Sequence, residues 1–231
     1  MKIEVLFPEV ANLYGDNFNI KYLEKCLNKS KIINTSLTEE PAFVKEDIKM
    51  IYMGPMTETN QKIVIEKLRP YQKRIKELIK KGVIFLITGN ALEVFGDYII
   101  DGKDKIKALG IFNTYAVYDY QNRHNSLFLG EYQDLKIVGY KSQFSQSYNN
   151  QNPFIKTIRG TGFNHEDSNE GIHYHNFFGT YLLGPILILN PYFTKEILKL
   201  LDNKAKLVFE EESLLAYQTR LKEYQNEKLK F

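Results

Sequence analysis

The run VIFLIT, residues 83–88, constrains the fold more than any other stretch of the chain. It is apolar at consecutive positions, so a strand built from it must be covered on both faces. A strand with one wet face alternates, whereas a central parallel strand between two helix layers does not. The preceding segments fit that setting. KIEVLF, residues 2–7, alternates with Ile3, Val5 and Phe7 on one face, and a helical stripe of Ile20, Leu23 and Leu27 follows. KIINTSL and IKMIYM are two further strand candidates. Leu68, Tyr71, Ile75, Leu78 and Ile79 mark the buried face of a long helix ending near Gly82. Strand, helix, strand, long helix and central strand predict a doubly wound α/β sheet, mostly parallel, with VIFLIT flanked by KIEVLF and IKMIYM.

The pattern changes between about Tyr98 and Ile158. Short β-prone runs (YII, TYAVYDY, SLFLGEY, LKIVGY) are separated by DGKD, QNRHN and SQSYNNQNP, all turn chemistry. This region reads as an antiparallel extension of the same sheet, so one domain is expected over residues 1–231. Asp101-Gly102 reads as a hairpin turn, because its acidic neighbours lack calcium-loop spacing. GTYLLGPILILNP, from Gly179 to Pro191, reads as a glycine-opened turn, a short apolar strand and an Asn-Pro stop. Two helices, near Phe193–Leu201 and Leu207–Glu227, close the chain.

Composition narrows the function classes. Hydrophobic residues are 43% and charged residues 26% of the 231, with a net charge of +3, which argues against disorder. Lysines are interleaved with glutamates in KLRPYQKRIKELIKK and RLKEYQNEKLK, so they read as solvated helix faces rather than a nucleic-acid stripe. The single cysteine, Cys26, excludes an internal disulfide and reads as a small apolar packing residue. The first residues lack the apolar core of a signal peptide, and no run reaches transmembrane length, so a cytoplasmic protein without membrane insertion is expected.

In a parallel α/β sheet chemistry gathers at the strand-to-helix turns beyond the carboxyl ends. Four segments qualify: LYGDNFN, MGPMTETNQ, ITGNALEVFG and GTYLLGP. Each has a plain structural reading too. Thr88-Gly89-Asn90 can be a turn with a capping residue, and Asp16 and Asn17 either cap the first helix or touch a ligand. His173 and His175, two apart on an expected strand, could join His165, Glu166 and Asp167 as metal ligands or simply decorate loops. The reading assigns no metal and no cofactor.

In this order and spacing, the four segments resemble the class I glutamine amidotransferases of the CobB/CobQ type. The likeness is nearest to the GatD-like branch, the glutaminase subunits of lipid II isoglutaminyl synthase. LYGDNFN (Leu13–Asn19), GPMTETNQ (Gly54–Gln61), IVGY (Ile137–Tyr140) and NEGIHYHNFFGTYLLGP all line up on family motifs, over roughly Lys2 to Pro191. The resemblance implies a flavodoxin-like sheet and a Mur-ligase-like partner subunit. It also places the family's cysteine nucleophile near Thr88, Gly89 and Asn90, with Gly89 at the ungapped position, and its histidine base at Leu183. None of these residues is a thiol or an imidazole. The family's oxyanion turn falls at Gly54-Pro55, and Pro55 has no N–H to donate.

Two functions follow from these departures. The first is a glutaminase-silent partner or regulatory subunit of a Mur-ligase-like synthetase in cell-wall or cobalamin-type amidation. It would keep a small-molecule pocket at Gly54, Pro55, Asn90 and Gly184. The second is an active amidotransferase or hydrolase with Thr88 as a substituted nucleophile. Those glycines, with Pro55, Thr88, Gly89, Asn90 and Leu183, are expected to converge on one crevice.

Overall fold

The computed structural model describes residues 1–230. Its main sheet has nine strands in the order β2-β1-β3-β4-β13-β12-β11-β8-β9. The parallel half is β2 (Lys31–Thr35), β1 (Lys2–Leu6), β3 (Met50–Met53), β4 (Ile84–Thr88) and β13 (Phe177–Thr180). The antiparallel half is β12 (Asn169–Tyr174), β11 (Pro153–Arg159), β8 (His124–Tyr132) and β9 (Leu135–Gln143). Every residue of β4 is buried, as the double cover of its apolar run requires. Its neighbours are β3 and β13; β1 lies one strand further out and does not flank it.

Helices cover both faces. On one, α2 (Glu58–Leu68) and α3 (Gln72–Lys80) pack Val64, Ile65, Leu68, Ile75, Leu78 and Ile79 against Ile51, Phe85 and Ile87. On the other, α1 (Phe18–Cys26) and α5 (Pro191–Leu201) pack Ile20, Leu23, Cys26, Phe193 and Ile197 against Ile3, Val5 and Leu86. Phe7 lies beyond β1 at φ 55° and joins the first of these clusters, away from Ile3 and Val5. The expected long helix is two helices, because Pro70 in the short 3₁₀ turn Arg69–Tyr71 cannot donate to a continuous ladder. Among the described residues no helix is long and apolar enough to cross a membrane.

The β-rich middle divides differently from the expectation. SLFLGEY and LKIVGY extend the main sheet. β5 (Tyr98–Asp101), β6 (Asp104–Lys107), β7 (Tyr115–Tyr118) and β10 (Ser145–Tyr148) form a separate four-stranded sheet, in the order β10-β7-β5-β6. Asp101 and Asp104 close the β5–β6 hairpin, with Gly102 at φ 61°. The apolar run ILIL is not a strand. It is the single helical turn α4 (Ile186–Leu189), held by Asn190, whose Nδ2 donates to the Ile186 carbonyl (2.9 Å), and by Asn19, whose Oδ1 accepts from Leu187 N–H (2.9 Å). The last helix, α6 (Glu210–Gln225), lies against β8 and β9 through Tyr217.

Candidate functional site at the carboxyl edge of the parallel strands

The turns after β1, β3, β4 and β13 meet at one end of the sheet and enclose a crevice of about 170 Å3. Pro55, Gly89, Asn90 and Leu183 line it, together with Tyr14, Glu58, Arg123, Gln143 and Tyr181. Gly89 opens a short 3₁₀ segment straight after β4 at φ +60°, the left-handed backbone that glycine adopts without penalty. A Cβ placed on Gly89 would lie 2.5 Å from Pro55 Cβ and 3.1 Å from Leu183 Cδ2. Gly89 is thus walled by Pro55 and Leu183, the residues onto which the sequence resemblance maps the oxyanion turn and the base. Leu183 is itself fixed, its N–H donating to the Tyr140 carbonyl at 2.9 Å.

Asn90, expected as a ligand contact, lines the crevice and also bridges two of its turns. Its Oδ1 accepts from Met56 N–H (3.0 Å) and its Nδ2 donates to the Met56 carbonyl (2.8 Å), so the amide bonds to Met56 through both ends. This clasp holds the turn after β3 against the turn after β4. It also occupies the Met56 N–H, the donor next in line after the missing one of Pro55. Gly54 and Gly184 do not line the crevice. A Cβ on Gly54 would meet the Ala11 carbonyl oxygen at 2.7 Å and Tyr52 Oη at 2.9 Å, and one on Gly184 the Tyr140 ring at 2.7 Å. Close packing demands a glycine at both positions.

Thr88 also lies behind the crevice wall. It has no exposed surface, and its hydroxyl donates to Asp16 Oδ2. Tyr52 Oη donates to the same oxygen at 2.7 Å and Asn19 Nδ2 at 3.2 Å. Asp16 is therefore neither an N-cap nor a crevice residue: it joins the turn after β1 to β3 and β4 from beneath. Burial pushes its carboxyl up to about 6, while the bonds from Thr88 and Tyr52 pull the other way. The sequence marked Asp16 as a helix cap or a ligand contact, and nothing in its neighbours told that it turns inward.

A second buried carboxylate went unmarked. Glu93 sits on the 3₁₀ segment after Gly89, where Ser145 Oγ donates to Oε1, Tyr181 Oη to Oε1 (2.8 Å) and Gln61 Nε2 to Oε2 (3.0 Å). Full burial raises its pKa to about 7 despite these donors. Tyr181 carries the network to the crevice wall. On the far side Lys141 and Glu170, both fully buried, stand 3.6 Å apart, and burial lowers the ammonium to about 8 against the pull of Glu170.

The histidines do not gather. His173 stacks on Phe178 (centroids 4.7 Å apart), while His175 lies in the turn after β12 at φ 52°, so the two do not share a strand face. His165 meets His124 instead, at 5.2 Å between centroids. Among the described residues no group of three or more His, Cys, Asp or Glu could hold a metal.

Comparison with known proteins adds the lineage. Residues 2–190 match the model of the CobB/CobQ-like glutamine amidotransferase domain. The chain is 28% identical to a lipid II isoglutaminyl synthase (glutamine-hydrolyzing) subunit GatD of Streptococcus pneumoniae, across 82% of this chain and 76% of that one. It is 27% identical to the Staphylococcus aureus GatD subunit, across 86% and 83%. Among solved structures, PurLQS from Thermotoga maritima is similar in fold, with a TM-score of 0.55 at 11% identity over 95% of this chain and 98% of that one.

Proposed function

The chain belongs to the CobB/CobQ-like glutamine amidotransferase family, and from that premise we propose that it is a member without glutaminase activity, serving as the partner or regulatory subunit of a Mur-ligase-like synthetase. The observation that carries the reading is the contact at Gly89. A glutaminase of this class needs a thiolate on the turn after the central strand, a base to receive its proton and N–H donors for the oxyanion. Here Gly89 carries no side chain, and the space one would fill is taken by Pro55 and Leu183. Leu183 accepts no proton, Pro55 donates no hydrogen bond, and the Met56 N–H is bonded to Asn90.

The Thr88 alternative draws less support. Its hydroxyl does have a carboxylate partner, Asp16, but both are buried behind the crevice wall, away from any substrate in it. A nucleophile must reach the reacting atom before its activation matters.

The partner reading rests on the relatives, which are named as subunits of lipid II isoglutaminyl synthase. It places the chain in the cytoplasm as one domain over residues 1–231. The crevice, with Arg123 and Glu58 on its lining, is the place for a small ligand exchanged with that partner. The test is ammonia release from glutamine by the purified chain, alone and with the ligase-like protein that co-purifies from its own cell. The expected result is no release above background and no labelling by a diazo-ketone glutamine analogue. Steady turnover that disappears on Thr88→Ala would overturn the reading in favour of the substituted nucleophile, and absence of any ligase-like co-purifying protein would remove the partner assignment.

A further inference from the structure

A second cavity, of about 280 Å3, opens at the opposite end of the sheet. It lies beside the amino ends of β4 and β13, at the seam between the main sheet and the smaller one. Its volume approaches the lower end of the ~300–1,000 Å3 typical of small-molecule sites, and it exceeds the crevice at Gly89.

Its lining is chemically coherent. Lys76 and Lys80, on the last turns of α3, contribute two ammonium groups, and no lining residue is acidic. Among the described residues neither lysine forms an ion pair. The loop between β10 and β11 supplies Gln151 and Asn152, and the approach to β7 supplies Asn113. The side chains of these three make no hydrogen bond among the described residues. Each carboxamide offers a donor pair and an acceptor, the combination that matches vicinal hydroxyls. Tyr174, 40% exposed and packed edge-on to Phe112 at 6.2 Å, adds an aromatic wall.

The loop is built to hold this shape. Asn149 Nδ2 donates to the Asn113 carbonyl (2.9 Å) and Asn150 Nδ2 to the Gly171 carbonyl (2.7 Å), while Asn150 Oδ1 accepts from Asn152 N–H (3.0 Å). Two of the five carboxamides thus brace the loop and three are left for a guest. Such pre-organisation reduces the ordering penalty on binding.

We infer that this cavity binds a phosphorylated sugar, with Lys76 and Lys80 holding the phosphate and Asn113, Gln151 and Asn152 the hydroxyls against the face of Tyr174. Two uncompensated cations call for a multiply charged anion, and three free carboxamides beside an aromatic ring call for a polyol. A bare anion uses only the lysines, and a neutral sugar only the rest.

Titration calorimetry with glucose 6-phosphate as the probe, run beside glucose and inorganic phosphate, tests this. The expected Kd is about 1 mM or tighter for the sugar phosphate, at least about tenfold below that of either fragment. The exposed pair Lys76→Gln with Lys80→Gln, which leaves the core untouched, should weaken binding at least about tenfold, as loss of charge-assisted bonds implies. Asn152→Ala should weaken glucose 6-phosphate but leave inorganic phosphate unchanged. No heat at about 10 mM probe, equal affinity for phosphate and sugar phosphate, or an undiminished double-lysine variant would each overturn the assignment.

Discussion

Substituting Gly89 with alanine is the most direct test of whether the turn after β4 has lost room for a side chain. Two penalties combine. The backbone at φ +60° is left-handed, which costs an L-residue about 1–2 kcal/mol. The new Cβ would also lie 2.5 Å from Pro55 Cβ, where carbon atoms pack at about 3.5–4.0 Å, so something must move by roughly 1 Å. Pro55 cannot retreat freely: its carbonyl accepts from Leu13 N–H (3.0 Å) and the next residue is clasped by Asn90. Overpacking a site so held costs about 1–3 kcal/mol. Gly89→Ala should therefore lose about 2–5 kcal/mol of unfolding free energy, read from the urea midpoint by circular dichroism at unchanged m-value.

The backbone share is indifferent to Pro55, whereas the packing share is not. Pro55→Gly alone should destabilise by about 1 kcal/mol, chiefly through the freer unfolded chain. Combined with Gly89→Ala it should recover the overpacking share, giving a favourable coupling of about 1–3 kcal/mol. A Gly89→Ala protein within about 0.5 kcal/mol of the parent, or a double variant with no coupling, would refute the reasoning.

Other outcomes follow from the same geometry. Introducing a thiol and an imidazole by Gly89→Cys with Leu183→His should yield no glutamine turnover, because the thiol-bearing Cβ meets Pro55; adding Pro55→Gly should give at most a trace, measured as ammonia release. Thr88→Val removes a donor to the buried Asp16 carboxylate and should cost about 1–3 kcal/mol at pH 8. That loss should shrink at pH 4.5, below the raised value of about 6 where Asp16 is protonated; an equal loss at both pH values would count against it. Glu93 is raised from 4.5 to about 7 by burial, so the stability of its protonated form is complete below pH 4.5 and is lost as pH rises through 7. Glu93→Gln, always neutral, should accordingly gain on the parent by up to about 3 kcal/mol between pH 4.5 and pH 8, and a constant difference in melting behaviour across that range would contradict the shift.

What the sequence disclosed and what it withheld follow one physical division. The buried run at residues 84–88 and the stripes of α1 and α3 depend on local periodicity, and all were legible. The break at Pro70 was legible too, since proline inside a helical pattern announces an interruption, yet the stripe across it suggested one long helix. ILIL at 186–189 was ambiguous in principle, because four apolar residues fit a strand or a helical turn equally well. Strand partnership is a long-range property, which is why VIFLIT was given β1 in place of β13 and the small sheet was merged with the large one. At the site, the assembly of Pro55, Gly89 and Leu183 could be anticipated from motif order. The inward turn of Asp16, and the use of Asn90 as a clasp, depend on side-chain partners far away in the chain.

The contact between Pro55 and Gly89 also couples the choices of residue at the two positions. On the assignment of Gly89 to the nucleophile position, a proline at residue 55 and any side chain at residue 89 cannot coexist without displacing the clasped turn. A side chain introduced at residue 89 alone therefore meets a steric barrier before it can do any chemistry, and the two positions can change only together. Sequences that share this turn should vary at residue 183, where several apolar side chains can fill the space, while glycine persists at residue 89 wherever proline occupies residue 55.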